Sequence, residues 1–274
     1  MSSAWDPDFS SRSPMFAPLH EAAAELARER WPEPNEYQCL AARRNVTNAA
    51  GTPVRFVPQG RRPVCFEHGY EPRIFLRGEI QLRPCNWHDL LNALVWLTYP
   101  RAKAALNSRQ YAALCEQQRR GAPNRGPEQD ALTLFDEGGV IVACSDAELA
   151  DLLVGFEWKR LFWQRRDQVS SRMRFYVFGH ALYEKALHPF TGVTGRGLLF
   201  DVEPELFAQP LAEQLAVLDA LLAARLAAGA CLQSTRELSP VPVLGVPGWL
   251  ADNSVESYYD NVEYFRPGRT PRRA

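Results

Sequence analysis

The 274-residue sequence has no excess of charge of one sign: 31 Lys and Arg face 32 Asp and Glu, a formal net charge of −1. A global electrostatic grip on nucleic acid or on an anionic membrane is therefore not expected, although a local basic patch stays open. No stretch approaches the ~18 consecutive apolar residues of a membrane helix. The most apolar window, Leu90–Leu97, is short and is interrupted by Asn92. The start, Met1-Ser-Ser-Ala-Trp-Asp-Pro-Asp8, lacks the cationic and apolar parts of a secretory signal. The expected location is thus cytoplasmic, with no membrane partner. The six cysteines are scattered, with no Cys-x-x-Cys pair and no Cys/His zinc spacing. They read as reduced, mostly buried thiols. Several catalytic signatures are missing: the Gly-x-Ser-x-Gly elbow, the Gly-x-Gly-x-x-Gly fingerprint, the Walker order, the kinase set and His-Glu-x-x-His. Their absence argues against a serine hydrolase, a Rossmann oxidoreductase and a kinase, and no motif names a cofactor.

What is present is ordinary for a globular chain: 46% hydrophobic and 23% charged residues. A chain of this length buries about three quarters of its unfolded surface and needs no staples. Residues 1–18 form an irregular arm rich in Ser, Pro and Asp, and His20–Trp31 reads as a helix. Val54–Val57, Val64–Phe66 and Arg73–Leu76 are short apolar runs consistent with strands or extended loop. Asn86 caps a strong helix whose apolar face holds Trp87, Leu90, Leu91, Leu94 and Leu97. Pro100 either kinks that helix or opens a new one running to about Gln118. Residues 132–144 read as a hairpin with Asp136-Glu-Gly-Gly139 at its tip. Helices are expected at Ser145 onward, Phe156–Arg166, Gly179–His188 and Leu211–Ala228, with a strand at Gly197–Val202 and either a buried strand or the first turns of the next helix at Arg174–Phe178. The Pro/aromatic-rich C-terminus wraps the body. The fold class is α+β, a helix-dominated single domain over 15–267 with flexible ends at 1–14 and 268–274.

Three phrases stand out: Asn86-Trp-His-Asp-Leu-Leu-Asn-Ala-Leu-Val-Trp96, Leu132-Thr-Leu-Phe-Asp-Glu137 and Phe178-Gly-His-Ala-Leu-Tyr-Glu-Lys185. With Pro242-Val-Leu-Gly-Val-Pro-Gly-Trp249 and Tyr264-Phe-Arg-Pro267, in this order, they resemble a bacterial family known as domain of unknown function 3025. The resemblance spans about residues 15–267, which implies one domain and carries no biochemistry.

Candidate chemistry lies in polar residues set among apolar ones. His88 and Asn92 are i,i+4 on the helix from Asn86 and share a face. A polar pair on an apolar helix either finds partners or lines a cleft. Arg101 and Lys103 follow Pro100. If Pro100 opens a helix, cations sit at its positive end, and a bound anion there would offset the penalty. Arg101, Lys103, Asn107 and Asn92 are therefore candidate anion-binding residues. Asp136 and Glu137 are adjacent carboxylates, suited to acid/base work, to a hard metal, or simply to a turn. His180 and Glu184 are i,i+4, a spacing that serves a metal or a His–carboxylate couple.

The reading that follows is an enzyme acting on a small anionic substrate by acid–base or metal-assisted chemistry, with hydrolysis the expected class. His88, His180, Glu184 and Asp136 are its catalytic candidates. Two alternatives stand beside it. One is a non-catalytic interaction protein; the other is an RNA or single-strand binder using the basic-aromatic segment Lys159–Arg174.

Overall fold

The computed structural model describes residues 4–26, 28–60 and 62–268. Within them the chain is helix-dominated α+β, with one two-stranded and one four-stranded sheet. The expected flexible end at 268–274 lies outside the described residues, apart from Gly268. The N-terminal arm is irregular but packed. Phe9, Met15, Phe16 and Leu19 are buried, and Trp5 stacks on Trp87. The helix expected over 20–31 is only α1, His20–Ala24. Beyond it Arg28 pairs with Asp8 and Trp31 packs on Trp5, so tertiary contacts override the local helix propensity.

A capping box formed by Glu33 and Glu36 opens α2, Pro34–Arg43. The strand β1, Arg55–Pro58, pairs in parallel with β2, Glu79–Leu82. The crossover between them contains α3, Tyr70–Arg77. The apolar run Arg73–Leu76 is thus helical, with Ile74 buried and Leu76 outside. Gly78 ends α3 at φ +67°, where a Cβ would lie 2.4 Å from the Pro53 carbonyl oxygen. Val64–Phe66 forms no strand and leads into a single 3₁₀ turn.

In α4, Trp87–Thr98, every residue from Leu90 to Leu97 is buried, Asn92 included. Asn86 accepts a hydrogen bond from the Asp89 N–H, as its capping role requires. Pro100 is the first residue of a new helix, α5, Pro100–Arg120. Its free N–H groups do meet an anion, and the anion belongs to the protein. The Asp219 carboxylate accepts from the backbone of Arg101 at 3.2 Å and Ala102 at 2.8 Å.

The hairpin expected at 132–144 does not form. Residues 127–138 are α6, Pro127–Gly138, and only then does β3, Gly139–Cys144, begin. Pro127 is preset for the first helical position and Glu128 and Asp130 occupy the first turn. Ala131, Leu132 and Phe135 then form a buried helical stripe. Asp146 caps α7, Ala147–Val154, with bonds from the Glu148 and Leu149 N–H groups. Next come α8, Arg166–Arg172, and β4, Met173–Val177, antiparallel to β3. The chain continues through α9, His180–Ala186, into β5, Thr194–Asp201, which lies parallel to β3. After α10, Leu211–Ala227, the edge strand β6, Ser239–Pro242, completes the order β4-β3-β5-β6. The C-terminal turns wrap this sheet, burying Tyr259, Tyr264 and Phe265. No described helix is long and apolar enough to cross a membrane.

Of the six thiols only Cys144 and Cys231 are buried. Cys65 and Cys85 sit in proline-rich loops and are exposed, as is Cys39 on α2, which corrects the expectation of mostly buried cysteines. The Lys159–Arg174 segment turns its aromatics inward and its cations to partners. Trp158 and Phe162 are buried, Lys159 pairs with Glu256 and Asp260, Arg165 with Glu148, and Arg172 with Asp146.

The Asp219 cap has a pH signature. Burial pushes its carboxyl up to about 6, although two backbone N–H groups and Arg101 pull the other way. A carboxyl raised above its ordinary 3.8 binds its proton more tightly in the native state. Its contribution to stability is therefore fullest below about 4 and is lost as pH rises through about 6. The gap corresponds to about 3 kcal/mol. In urea unfolding, the stability of wild type minus that of Asp219→Asn should fall by up to that amount between pH 4 and pH 7. A flat difference would refute it.

Candidate metal centre

Four helices bring the site together, each with one of its ends. His88 lies in the first turn of α4, Lys103 in the first turn of α5, Asp136 and Glu137 in the last turn of α6, and His180 begins α9. Backbone contact sets the distance between α6 and α9. The N–H groups of Phe178 and Gly179 both donate to the Gly139 carbonyl at 2.9 Å. A Cβ on Gly179 would lie 2.4 Å from the Gly139 nitrogen and 2.5 Å from the Glu137 carbonyl oxygen. Only glycine permits this approach, which lays His180 against the end of α6.

Beneath the site is a buried ion pair. The Lys103 ammonium donates to Asp136 Oδ1 and, at 3.0 Å, to Asn92 Oδ1. It also sits 5.5 Å from the Trp96 ring centroid, a cation–π distance. Asn92 in turn donates to the Tyr70 hydroxyl at 2.6 Å. Burial alone would raise the Asp136 carboxyl, but Lys103 and then His180 hold it below its ordinary value.

Above this pair the two imidazoles meet. His88 Nε2 and His180 Nε2 are 3.0 Å apart, with the rings at 77°. Glu137 Oε2 lies 3.7 Å from His180 Nε2, and the three donor atoms all fall within 4.8 Å of one another. The opposite ring nitrogens face carboxylates. His88 Nδ1 is 2.9 Å from Glu184 Oε2. His180 Nδ1 is buried without a hydrogen-bond partner, 3.8 Å from Asp136 Oδ2. A carboxylate beside Nδ1 favours the tautomer with its proton there, which leaves a lone pair on Nε2. Burial, with Lys103 and His88 adding to it, lowers the His180 pKa to about 4, so this ring is neutral at pH 7.

The 3.0 Å contact is met either by an N–H···N hydrogen bond, with one ring carrying its proton on Nε2, or by a metal ion between two Nε2 lone pairs. Ligands at ~2.1 Å on a tetrahedral cation lie ~3.4 Å apart, and adjacent octahedral ligands ~3.0 Å apart. Two of the three edges, 3.0 and 3.7 Å, bracket those values, and the third is no longer than 4.8 Å. His88, His180 and Glu137 are thus able to hold a metal, with Glu184 and Asp136 behind the imidazoles.

The site lies in a cleft of about 640 Å³. Tyr70 and Glu71 also line it. Burial, reinforced by the Asp136 charge, pushes the Glu71 carboxyl up to about 7, while Asn107, donating at 2.6 Å, pulls it down. Burial and the Asp136 charge also raise Glu137.

The geometry sorts the candidates read from sequence. His88, Asp136, His180 and Glu184 come together. Asn92 and Lys103 lie in the same network but are engaged with Asp136 and Tyr70. Asn107 reaches Glu71, and Arg101 lines a separate cavity beside Asp219. Asp136 and Glu137 are placed by a helix and not by a hairpin tip. The sequence reading missed Glu71 entirely and took Glu137 only as a neighbour of Asp136. The helical stripe at 131, 132 and 135 after Gly126-Pro127 is the signal that places both acids of α6.

In class, this is a helix-dominated α+β protein with two histidines and a carboxylate converging on the floor of a polar cleft. A family model described as "Protein of unknown function (DUF3025)" matches residues 54–269, and the chain belongs to that family. The matched span includes all the site residues. Searches of the curated proteins and of the solved structures give no significant match.

Two substitutions test the scaffold. Removing one member of a buried ion pair strands the other, at a cost of about 3–5 kcal/mol. Asp136→Ala should lose that much in denaturant unfolding, whereas the double change Lys103→Met, Asp136→Leu should recover most of it. A loss below about 1 kcal/mol for the single change would mean that the pair is hydrated and not structural. Gly179→Ala should cost about 1–3 kcal/mol by overpacking the α6–α9 contact. Unchanged melting in Gly179→Ala would show that the contact can relax.

Proposed function

We propose that the protein is a metal-dependent hydrolase acting on a small anionic substrate bound in the cleft. The observation that carries this reading is the convergence of His88 Nε2, His180 Nε2 and Glu137 Oε2, with both histidines backed by a carboxylate at Nδ1. Two histidines and one carboxylate with an open side match the ligand set of catalytic zinc and of non-haem iron sites. A divalent cation held there supplies a Lewis acid and an activated water.

The chain's own residues supply the rest. Glu184 and Asp136 hold the imidazoles with Nε2 outward. Lys103 keeps Asp136 ionised, and that charge, 3.8 Å from His180 Nδ1, favours the tautomer with the proton there. Glu71, carrying a proton about half the time near pH 7, is the general acid for the leaving group.

A proton shared by the two Nε2 atoms would instead make the pair an acid–base dyad, a reading favoured by the 3.0 Å separation alone. Glu137 as third donor favours the metal. Elemental analysis and zinc titration separate the two. The wild-type protein should bind about one equivalent of zinc, and His88→Ala and His180→Ala should lose it while keeping their circular-dichroism spectra. Glu184→Gln should weaken zinc binding about 10–100-fold, as loss of an outer-shell partner does. If the wild type binds no zinc, iron or manganese, the metal reading fails and the dyad takes its place. A His180→Ala protein that mainly loses melting temperature would make His180 structural.

A further inference from the structure

The site leaves open which anion the cleft takes, and a second set of residues bears on it. Three arginines line the cleft: Arg62, Arg83 and Arg125. Arg83 is spoken for, because its guanidinium is held by both oxygens of Asp89 at 2.9 and 2.7 Å. Arg62 and Arg125 form no close ion pair with a described carboxylate, and the Arg125 charge is felt at Glu71, where it lowers the carboxyl's pKa. They approach from different parts of the chain, Arg62 from the loop after β1 and Arg125 from the residue before the Gly126 cap of α6. Arg125 reaches along α6 to the Thr133 hydroxyl at 3.5 Å. Thr133 and Glu137 are i,i+4 on that helix, so the residue that Arg125 reaches lies one turn, ~6 Å along the axis, before the candidate metal ligand.

The surroundings suit an anion. Lys103, the nearest buried cation, is neutralised by Asp136. Glu71, a carboxylate lining the same cleft, has its carboxyl pushed up to about 7 by burial, which reduces its negative charge near neutral pH. Two guanidinium groups match a dianion better than a single carboxylate, and a phosphate offers each of them a two-oxygen edge. The remaining wall is polar, with the side-chain amides of Gln59, Gln81 and Gln110 among the lining residues. These are hydrogen-bond partners for a hydroxylated body.

We infer that Arg62 and Arg125 form a phosphate subsite, and that the substrate is a small phosphomonoester whose phosphate is held in the same cleft as His88, Glu137 and His180. This rests on the proposed hydrolase reading for the site of cleavage, but the subsite itself does not require the metal.

The test uses the full-length chain and calorimetric titration with phenyl phosphate, with benzoate as the carboxylate of matched shape. Phenyl phosphate should bind the wild type and should bind His88→Ala as well, since that variant lacks only the metal ligand. The double variant Arg62→Ala, Arg125→Ala should lose at least ~10-fold in affinity, as removal of charge-assisted bonds predicts. Zinc stoichiometry should be unchanged in that variant, and benzoate should bind at least ~10-fold more weakly than phenyl phosphate. Three results would overturn the subsite: no binding of phenyl phosphate at 10 mM (~a millimolar screening limit), equal binding by the arginine double variant, or equal binding of benzoate. Failure of zinc binding with phosphate binding intact would sink the metal reading and leave the subsite standing.

Discussion

The buried Lys103–Asp136 pair is the constraint around which the rest is arranged. A charge with almost no access to water is tolerable only when its partners are fixed. Lys103 draws on α4 through Asn92, on α6 through Asp136 and on the rings of Trp96 and Phe178. Asp136 in turn faces His180 on α9. Four helix ends are thereby held in one relation, and the polar atoms left over at that junction are the ones that line the cleft floor. The chemistry of the site is the exposed side of an electrostatic requirement of the core.

The same logic operates at the start of α5. A helix that opens with Pro100, Arg101 and Lys103 has an unfavourable charge at its positive end. Asp219 from α10 supplies the missing anion internally, while Lys103 swings inward to Asp136. The charge imbalance visible in the sequence is real, and it is resolved by two carboxylates from distant parts of the chain.

Elements governed by local pattern were legible in the sequence. The cap at Asn86, the apolar face of α4 and the Leu/Ala helix α10 all follow from periodicity and end signals, whereas the apolar run Arg174–Phe178 is open between strand and helix until its pairing with β3 decides it. The hairpin at 132–144 failed because Asp-Glu-Gly-Gly has turn chemistry while the buried strand β3 pairs with β5, over fifty residues on. Pairing of that range leaves no local mark. The site shows the same division. His88, His180 and Glu184 could be singled out as polar residues in apolar helices. Their partners could not be. The i,i+4 spacing of His180 and Glu184 suggests a couple within one helix, yet Glu184 bonds His88 across to α4. His88 and Asn92 share a face, yet Asn92 serves Lys103 and Tyr70. Spacing says which residues lie together on one helix, and the neighbouring helix decides what they touch.

The three converging donors come from α4, the end of α6 and the start of α9, and the two histidines are 92 residues apart. Bringing such segments together closes long loops, and that entropy is spent before any local contact at the junction can repay it. The glycine-tight contact between α6 and α9 adds a further condition, since the bonds from Phe178 and Gly179 to the Gly139 carbonyl adjoin the Val140–Val177 pair of the β3–β4 ladder. The cluster therefore depends on the same long-range pairings as the sheet. It is a product of the finished architecture and not a template for it.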